Sequence, residues 1–457
     1  STFDEHLYHE RDSVNLLRSG KQWYGEVFND LETKTFNFIM TDVSPSDPLS
    51  IRINMAVSSI QKSVVTSAVD GVVHSSDTIL PIDGNVNSDY AKPKTISLSV
   101  FPQEDTVVVS ISYNKPQTSS VAWLNCIDLS GVRNLIYRGG QLNFRNVATS
   151  GQAVSRFDVT TTAVIPEIWN ITDFMEISAM PVAVNGTVCS VTAYTDSLLE
   201  FVAFNENDLL HPILLGATAN QNLHGLSQAE LVVVTHPDFL NQANTLADFH
   251  RTTDGMMVAV ATTEQIYNEF SSGKPDPAAI RDFLRMFYER GQSDSVHRIK
   301  YVLLMGDGSY DMKNRLKANT NFVPSWQTNN SLVPTSSYVS DDFFTMLDPQ
   351  EGENLVGNLD IGAGRFPVTT SQEAAVVVEK CIRYGTREDF IPDSYETGTV
   401  SNFDPWRNVI TFIADDEDIN LHLKQAEKLV TLVDSITKNY NINKIYLDAY
   451  KQINTPF

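Results

Sequence analysis

The sequence predicts a β-rich, sandwich-like N-terminal region (residues 1–225) followed by an α/β domain with a mostly parallel sheet (residues 226–457). Three observations carry that expectation. Before residue 226 the apolar residues fall in short, β-branched, partly alternating runs separated by turn residues. After it they fall in continuous apolar strands that alternate with helical stretches. A chain of 457 residues is also too long for one ordinary core, so two or three domains are expected.

In the first region TISLSVF (95–101), DTVVVSISY (105–113), GQLNFRNVA (140–148) and SVTAYTD (190–196) read as strands. PIDGNVNSD (81–89) and NKPQ (114–117) supply turns. Either one β-sandwich or two small β domains in tandem fits this pattern. No fixed-period repeat and no long low-complexity tract is present.

The second region opens with AELVVVTHP (229–237), a continuous apolar strand, and a helical stretch through His250. GMMVAVATT (255–263) is the next strand, followed by a short helix over EQIYNEF (264–270). DPAAIRDFLRMFYERG (276–291) is the clearest helix. Asp276 is its N-cap, Pro277 sits where a missing N–H costs nothing, and Gly291 supplies the stop. Ile280, Phe283, Leu284 and Phe287 fall at i, i+3, i+4 and i+7, one buried stripe. YVLLM (301–305) and LDIGAGRFPV (359–368) are further strands, and Thr370 with Glu373 forms a capping box for a helix over 371–384. NVITFIADDED (408–418), LKQAEKLVTLVDSI (423–436) and NKIYLDAY (443–450) extend the strand–helix–strand rhythm, with a subdomain break near 390–405.

Composition excludes several classes. The chain is 42% hydrophobic and 10% aromatic, as globular proteins are, and no apolar run is long enough for a membrane helix. Lys plus Arg number 33 against 56 Asp plus Glu, a net charge of −23 that repels nucleic acid and anionic lipid. Cys126, Cys189 and Cys381 are far apart and in no metal-ligand spacing, and so low and odd a count excludes a disulfide-built domain.

In parallel sheets ligands bind beyond the carboxyl ends of the strands. The chain puts acids there: Asp307 and Asp311 in GDGSYD, the 415–418 run, and Asp448. GDGSYD lacks the spacing of a phosphate loop and is negative where a phosphate would sit. IADDED is similar to the acid pair of response-regulator receiver domains, but too little chain follows for the later phosphoacceptor Asp and Lys. A third option is a peptidase whose strand ends shape a substrate cleft, with acids that orient a histidine or bind Ca²⁺. Asp307, Asp311, Asp341, Asp342 and Asp348 are the Ca²⁺ candidates, since hard cations take carboxylate oxygens. Each is also a natural turn or cap residue.

IYNEFSSGKPDPAAIRDFLRMFYERG, LLMGDGSYD, SSYVSDDFF, LDIGAGRFPV and ITFIADDED, in this order, resemble the gingipain family of cysteine peptidases. The upstream segments LLRSGKQWYGEVF (16–28), QLNFR (141–145) and PEIWNIT (166–172) resemble the β-rich region of its type IX secretion signal peptidase/sortase branch. The resemblance implies a caspase-like, gingipain-like α/β domain that uses a Cys thiolate and a His and requires no cofactor. It implies removal of C-terminal signal domains from secreted cargo and attachment of the cargo to anionic lipopolysaccharide. The site is then peripheral, at the outer membrane of a Gram-negative cell, beside a PorV-like β-barrel, PorQ and PorZ, with no nucleic acid involved. Family members carry the histidine in a Gly-His-Gly segment and the cysteine a few tens of residues later. None of the nine histidines here has that context, His224 in LHGL being nearest, so the resemblance implies a domain incomplete at Phe457 and inactive by itself. A carboxylate that orients the family histidine maps to Glu417 or its neighbours Asp415, Asp416 and Asp418. The same run also serves as negative charge at a helix N-terminus. The alternative reading is a non-catalytic surface scaffold of the same fold.

Overall fold

A computed structural model describes residues 1–29, 33–162, 164–214, 216–294, 296–386, 405–415 and 417–451. The break expected near 390–405 falls, up to residue 404, outside them.

The N-terminal region folds as two β-sandwiches. In the first, strands Thr2–Glu10, Val121–Asn134, Leu49–Ser58 and Lys92–Val100 form one antiparallel sheet in that order. Thr33–Ile39, Thr106–Asn114, Ser63–Val69 and Val72–Ile79 form the facing sheet. Strict alternation puts Leu49, Ile51, Ile53 and Met55 inward, where they meet Val65, Val109 and Ile127 in one core. Asp70 (φ 49°) and Gly71 (φ 79°) both sit in left-handed backbone, which makes the tight turn between the Ser63 and Val72 strands match their twist. The second sandwich is built on Gln152–Thr161 and Val188–Thr195 in one sheet and Gln141–Arg145, Glu200–Phe204 and Glu167–Asn170 in the other. Its core is a ring cluster of Phe144, Phe157 and Phe201, with centroids 5.0–6.0 Å apart. Phe3, from the first strand of the first sandwich, is buried in this second core and ties the two together.

Beyond residue 226 four parallel strands run in the order Val258–Thr262, Leu231–Thr235, Tyr301–Met305, Gly362–Phe366. Helices α1 (Leu240–Thr253) and α4 (Ser371–Thr386) cover one face, α2 (Thr263–Phe270) and α3 (Pro277–Gly291) the other. The period-two rule decides which residue meets which helix. Leu231, Val233, Leu303 and Met305 pack on α1 and α4. Val232, Val234, Val302 and Leu304 pack on α2 and α3. Because both faces are covered, the central strand LVVVT is buried throughout and reads as a continuous apolar run.

Helix α3 begins as expected: the Asp276 side chain accepts from Ala278 N–H at 2.8 Å, with Pro277 first in the helix. Ile280, Phe283, Leu284 and Phe287 are all fully buried. Each such side chain stabilises by roughly 1.5–3 kcal/mol. Gly291 differs from expectation. It lies inside the helix, and a Cβ there would stand 2.9 Å from Arg298 Cα, so close packing rather than a left-handed stop requires glycine. The α4 capping box is also displaced: Thr370 Oγ1 accepts from Glu373 N–H at 3.1 Å, but the Glu373 carboxylate returns to Thr369 N–H at 2.8 Å.

Strands Val409–Ala414 and Asn441–Tyr446 pair in parallel around α5 (Glu417–Ile436) as a separate two-stranded sheet. Asp418, Ile419 and Asn420 hold φ of 50–60°, so the regular part of α5 starts after them. Among the described residues no helix is long and apolar enough to cross a membrane.

Candidate functional site

The strand Tyr301–Met305 empties into Gly306, whose φ of 148° and close neighbours (a Cβ would lie 2.9 Å from Phe322 Cβ) exclude other residues. Asp307 then acts as a loop organiser. Its N–H donates to Val368 O at 3.0 Å and its carbonyl accepts from Phe322 and Val323 N–H, each at 3.0 Å. Its Oδ2 accepts from the Thr320 hydroxyl at 2.8 Å. Asp311 is fully buried, accepts from Leu316 N–H at 2.7 Å through Oδ2, and lies 3.7 Å from Arg315.

The four acids Asp307, Asp311, Asp341 and Asp342 are not brought together as a Ca²⁺ site. Asp341 is gripped by Arg365 through two bonds of 2.7 Å, from Nε to Oδ2 and from Nη2 to Oδ1. Asp342 is exposed at the head of a short turn, Asp342–Thr345. The physical reason is that each carboxylate already has another partner or faces solvent: Asp307 and Asp311 find a hydroxyl or an amide in their own loop, Asp341 the Arg365 guanidinium from a neighbouring strand. Among the described residues, of the acids picked out in the sequence only Asp348 shares a cluster, with Glu351 and Asp360, ligand oxygens lying within 4.8 Å of one another. Tyr288 hydroxyl donates to Asp348 at 3.1 Å and is 3.2 Å from Asp360. Glu351 Oε2 is buried and has no hydrogen-bond partner. Arg281 fixes this loop by donating to the carbonyls of Met346, Asp348 and Glu351 at 2.6, 3.1 and 2.9 Å. A donor set of three carboxylates suits a hard divalent cation.

Arg365 is the residue the sequence reading passed over. Besides Asp341 it donates to the carbonyls of Gly306 at 2.7 Å, Val323 at 2.8 Å and Pro324 at 3.3 Å. It therefore welds three loops at the carboxyl end of the sheet. The signal was present in GAGRFPV, because an arginine ending an apolar strand is buried only when paired.

The thiols do not form a nucleophile site here. Burial pushes Cys126, Cys189 and Cys381 upward, away from thiolate. Cys381 lies against an apolar groove of about 870 Å³ with Leu246, Phe249 and Tyr384. Among the described residues no imidazole hydrogen-bonds a thiol; His224, nearest in sequence context, pairs with Glu269 at 2.7 Å and stacks on Phe270. Burial raises the Glu269 carboxyl, but hydrogen bonds from Leu223 N–H, Gln221 and His224 outweigh it and hold the pKa at about 2. His236 stands at the end of the Leu231–Thr235 strand, edge-on to Phe322 at 5.0 Å, and burial keeps it below the usual imidazole range. Glu417 opens α5, but its side chain and Asp416 lie outside the described residues. Next to them Asp415 Oδ1 is buried without a hydrogen-bond partner.

Tandem β-sandwiches ahead of a parallel sheet covered on both faces, with acids and a welding arginine at the carboxyl end, define a β-sandwich-fronted α/β domain. The family model described as peptidase family C25 matches residues 224–456. The chain belongs to that family, the gingipain family of cysteine peptidases. It is similar to latent, dimeric PorU from Porphyromonas gingivalis, with 26% identity and a TM-score of 0.74, over 84% of this chain and 38% of that one. This chain thus spans well under half of that relative's length. The Cry8Ea1 δ-endotoxin of Bacillus thuringiensis also aligns, at 15% identity and TM-score 0.20 over 22% of this chain and 18% of that one, too slight a likeness to argue from. No curated protein matches the chain.

Proposed function

We infer that this chain is the β-rich region and early catalytic domain of a type IX secretion signal peptidase and transpeptidase. It works at the outer membrane of a Gram-negative cell, attached peripherally. The observation that supports this most is the likeness to PorU across 84% of the chain, sandwiches and parallel sheet together. In this reading a thiolate attacks the carbonyl joining cargo to its C-terminal signal domain, while an imidazole takes and returns the proton. Water or an amine of anionic lipopolysaccharide then resolves the acyl-enzyme and leaves the cargo anchored. None of the nine histidines lies in a Gly-His-Gly segment and burial disfavours each thiolate, so in this reading these 457 residues do not by themselves supply the nucleophile and imidazole. The carboxylates around Glu417 orient the imidazole, a role that the unpartnered Asp415 oxygen supports. Its partners are secreted cargo, a PorV-like β-barrel, PorQ and PorZ.

The test is removal of C-terminal signals by the full-length protein before and after thiol alkylation. Alkylation is expected to abolish cleavage, and the 457-residue chain to show none. Cleavage that survives alkylation would count against thiol chemistry. A full-length protein with no reactive thiol would leave a non-catalytic scaffold of the same fold.

Ca²⁺ belongs to the same proposal, now at Asp348, Glu351 and Asp360. At a hundredfold excess over Kd, a cation that binds only the folded state stabilises by about 2.7 kcal/mol. The melting temperature is therefore expected to rise by several degrees with Ca²⁺ and fall back with EGTA, and Asp360→Asn to abolish the rise. An identical melt with Ca²⁺ and with EGTA would remove the ion from the reading.

A further inference from the structure

Residues 11–25, between the first strands, form a strap that grips the loop following the Tyr301–Met305 strand. Lys21 N–H donates to Thr328 O at 2.9 Å and Gln22 N–H to Ser331 Oγ at 3.0 Å. Trp23 stacks on Tyr310 with centroids 5.8 Å apart, Arg315 covers Trp23 at 4.7 Å, and Arg315 also pairs with Asp12. So anchored, the strap delivers one side chain to a particular place. The Lys21 ammonium lies 5.3 Å from the ring centroid of Trp326.

That ring lines a pocket of about 440 Å³ whose walls include Asp276, Met312, Phe343 and Glu353. Trp326 and Phe343 stack at 6.1 Å and together form one aromatic wall. The loop carrying Trp326 follows the carboxyl end of the Tyr301–Met305 strand, and α3 begins beside it with Asp276 as its cap. A π face bordered by carboxylates favours an alkylammonium over an anion and over an uncharged chain of the same shape. The chain already places such a group there from another domain.

We propose that this pocket is a binding site for an alkylammonium ligand, a peptide lysine side chain in particular, and that Lys21 is its tethered internal occupant. The proposal goes beyond the peptidase reading and does not rest on it. Release of Lys21 opens the site to a ligand in trans. While Lys21 is seated it competes at the millimolar effective concentration typical of a short tether.

The experiment uses the full chain and N-acetyl-lysine methylamide, followed by calorimetry and tryptophan fluorescence. Lys21→Ala is expected to bind the probe roughly fivefold more tightly than wild type, as removal of a tethered competitor requires. Glu353→Gln in that background is expected to weaken binding roughly threefold, the size of one exposed charge contact. N-acetyl-norleucine methylamide, which lacks the charge, is expected not to bind. Lys21 and Glu353 are both exposed, so these changes spare the fold. Equal affinity in wild type and Lys21→Ala, no saturable binding to either, indifference to Glu353→Gln, or equal binding of the norleucine amide would each overturn the proposal. None of these outcomes bears on cleavage, so failure here and failure of the peptidase reading are separable.

Discussion

Arg365→Ala is expected to cost about 3–5 kcal/mol of folding stability, the range for breaking one side of a buried ion pair. The guanidinium is largely buried, with its side chain 13% exposed; its removal leaves Asp341 with the Ser325 hydroxyl at 3.2 Å in place of an ion pair and takes a donor from the carbonyls of Gly306 and Val323. Arg365→Lys is expected to recover little, because one ammonium cannot reproduce the two-pronged grip on Asp341 while also reaching three carbonyls. Urea unfolding of the full chain measures the loss. Hydrogen exchange should localise it to residues 306–325 and 341–345. A loss under about 1 kcal/mol would place the pair among ordinary surface contacts.

The second large effect is expected at Gly20. Its φ is 79°, and a Cβ there would stand 2.0 Å from the Asn330 carbonyl oxygen and 2.5 Å from Ser331 Oγ. Gly20→Ala adds backbone strain of roughly 1–3 kcal/mol to an overlap of similar cost, which no flexible side-chain tip can relieve. The strap is therefore expected to lift off the 328–332 loop, taking with it the Lys21 and Gln22 bonds. Limited proteolysis should then cut within residues 11–25, which the wild type protects. Unchanged protection would show that the strap holds without this approach.

The two predictions differ in how far the residues announced them. Helix α3 was legible because its cap, its Pro277 and its stripe are all local, and local signals survive whatever the rest of the chain does. The acids at strand ends were legible as positions but not as partners. Asp341 went to Arg365, 24 residues away, and Asp348 to Glu351 and Asp360. Gly291 looked like a helix stop because sequence shows glycine but not its neighbours; Arg298 and Gln228 approach it from elsewhere. Gly20 gave no local hint at all, since its constraint is a carbonyl 310 positions on.

From the residues alone came the change from β to α/β grammar near residue 226, the strand and helix order, and the family, because periodicity and ordered motifs are properties of the chain itself. Which strands share a sheet, which carboxylates meet, which arginine binds three loops, and that Lys21 reaches Trp326 were decided only on folding. Those contacts join segments far apart in the chain, and their energies depend on burial and angle, neither of which a string of letters contains.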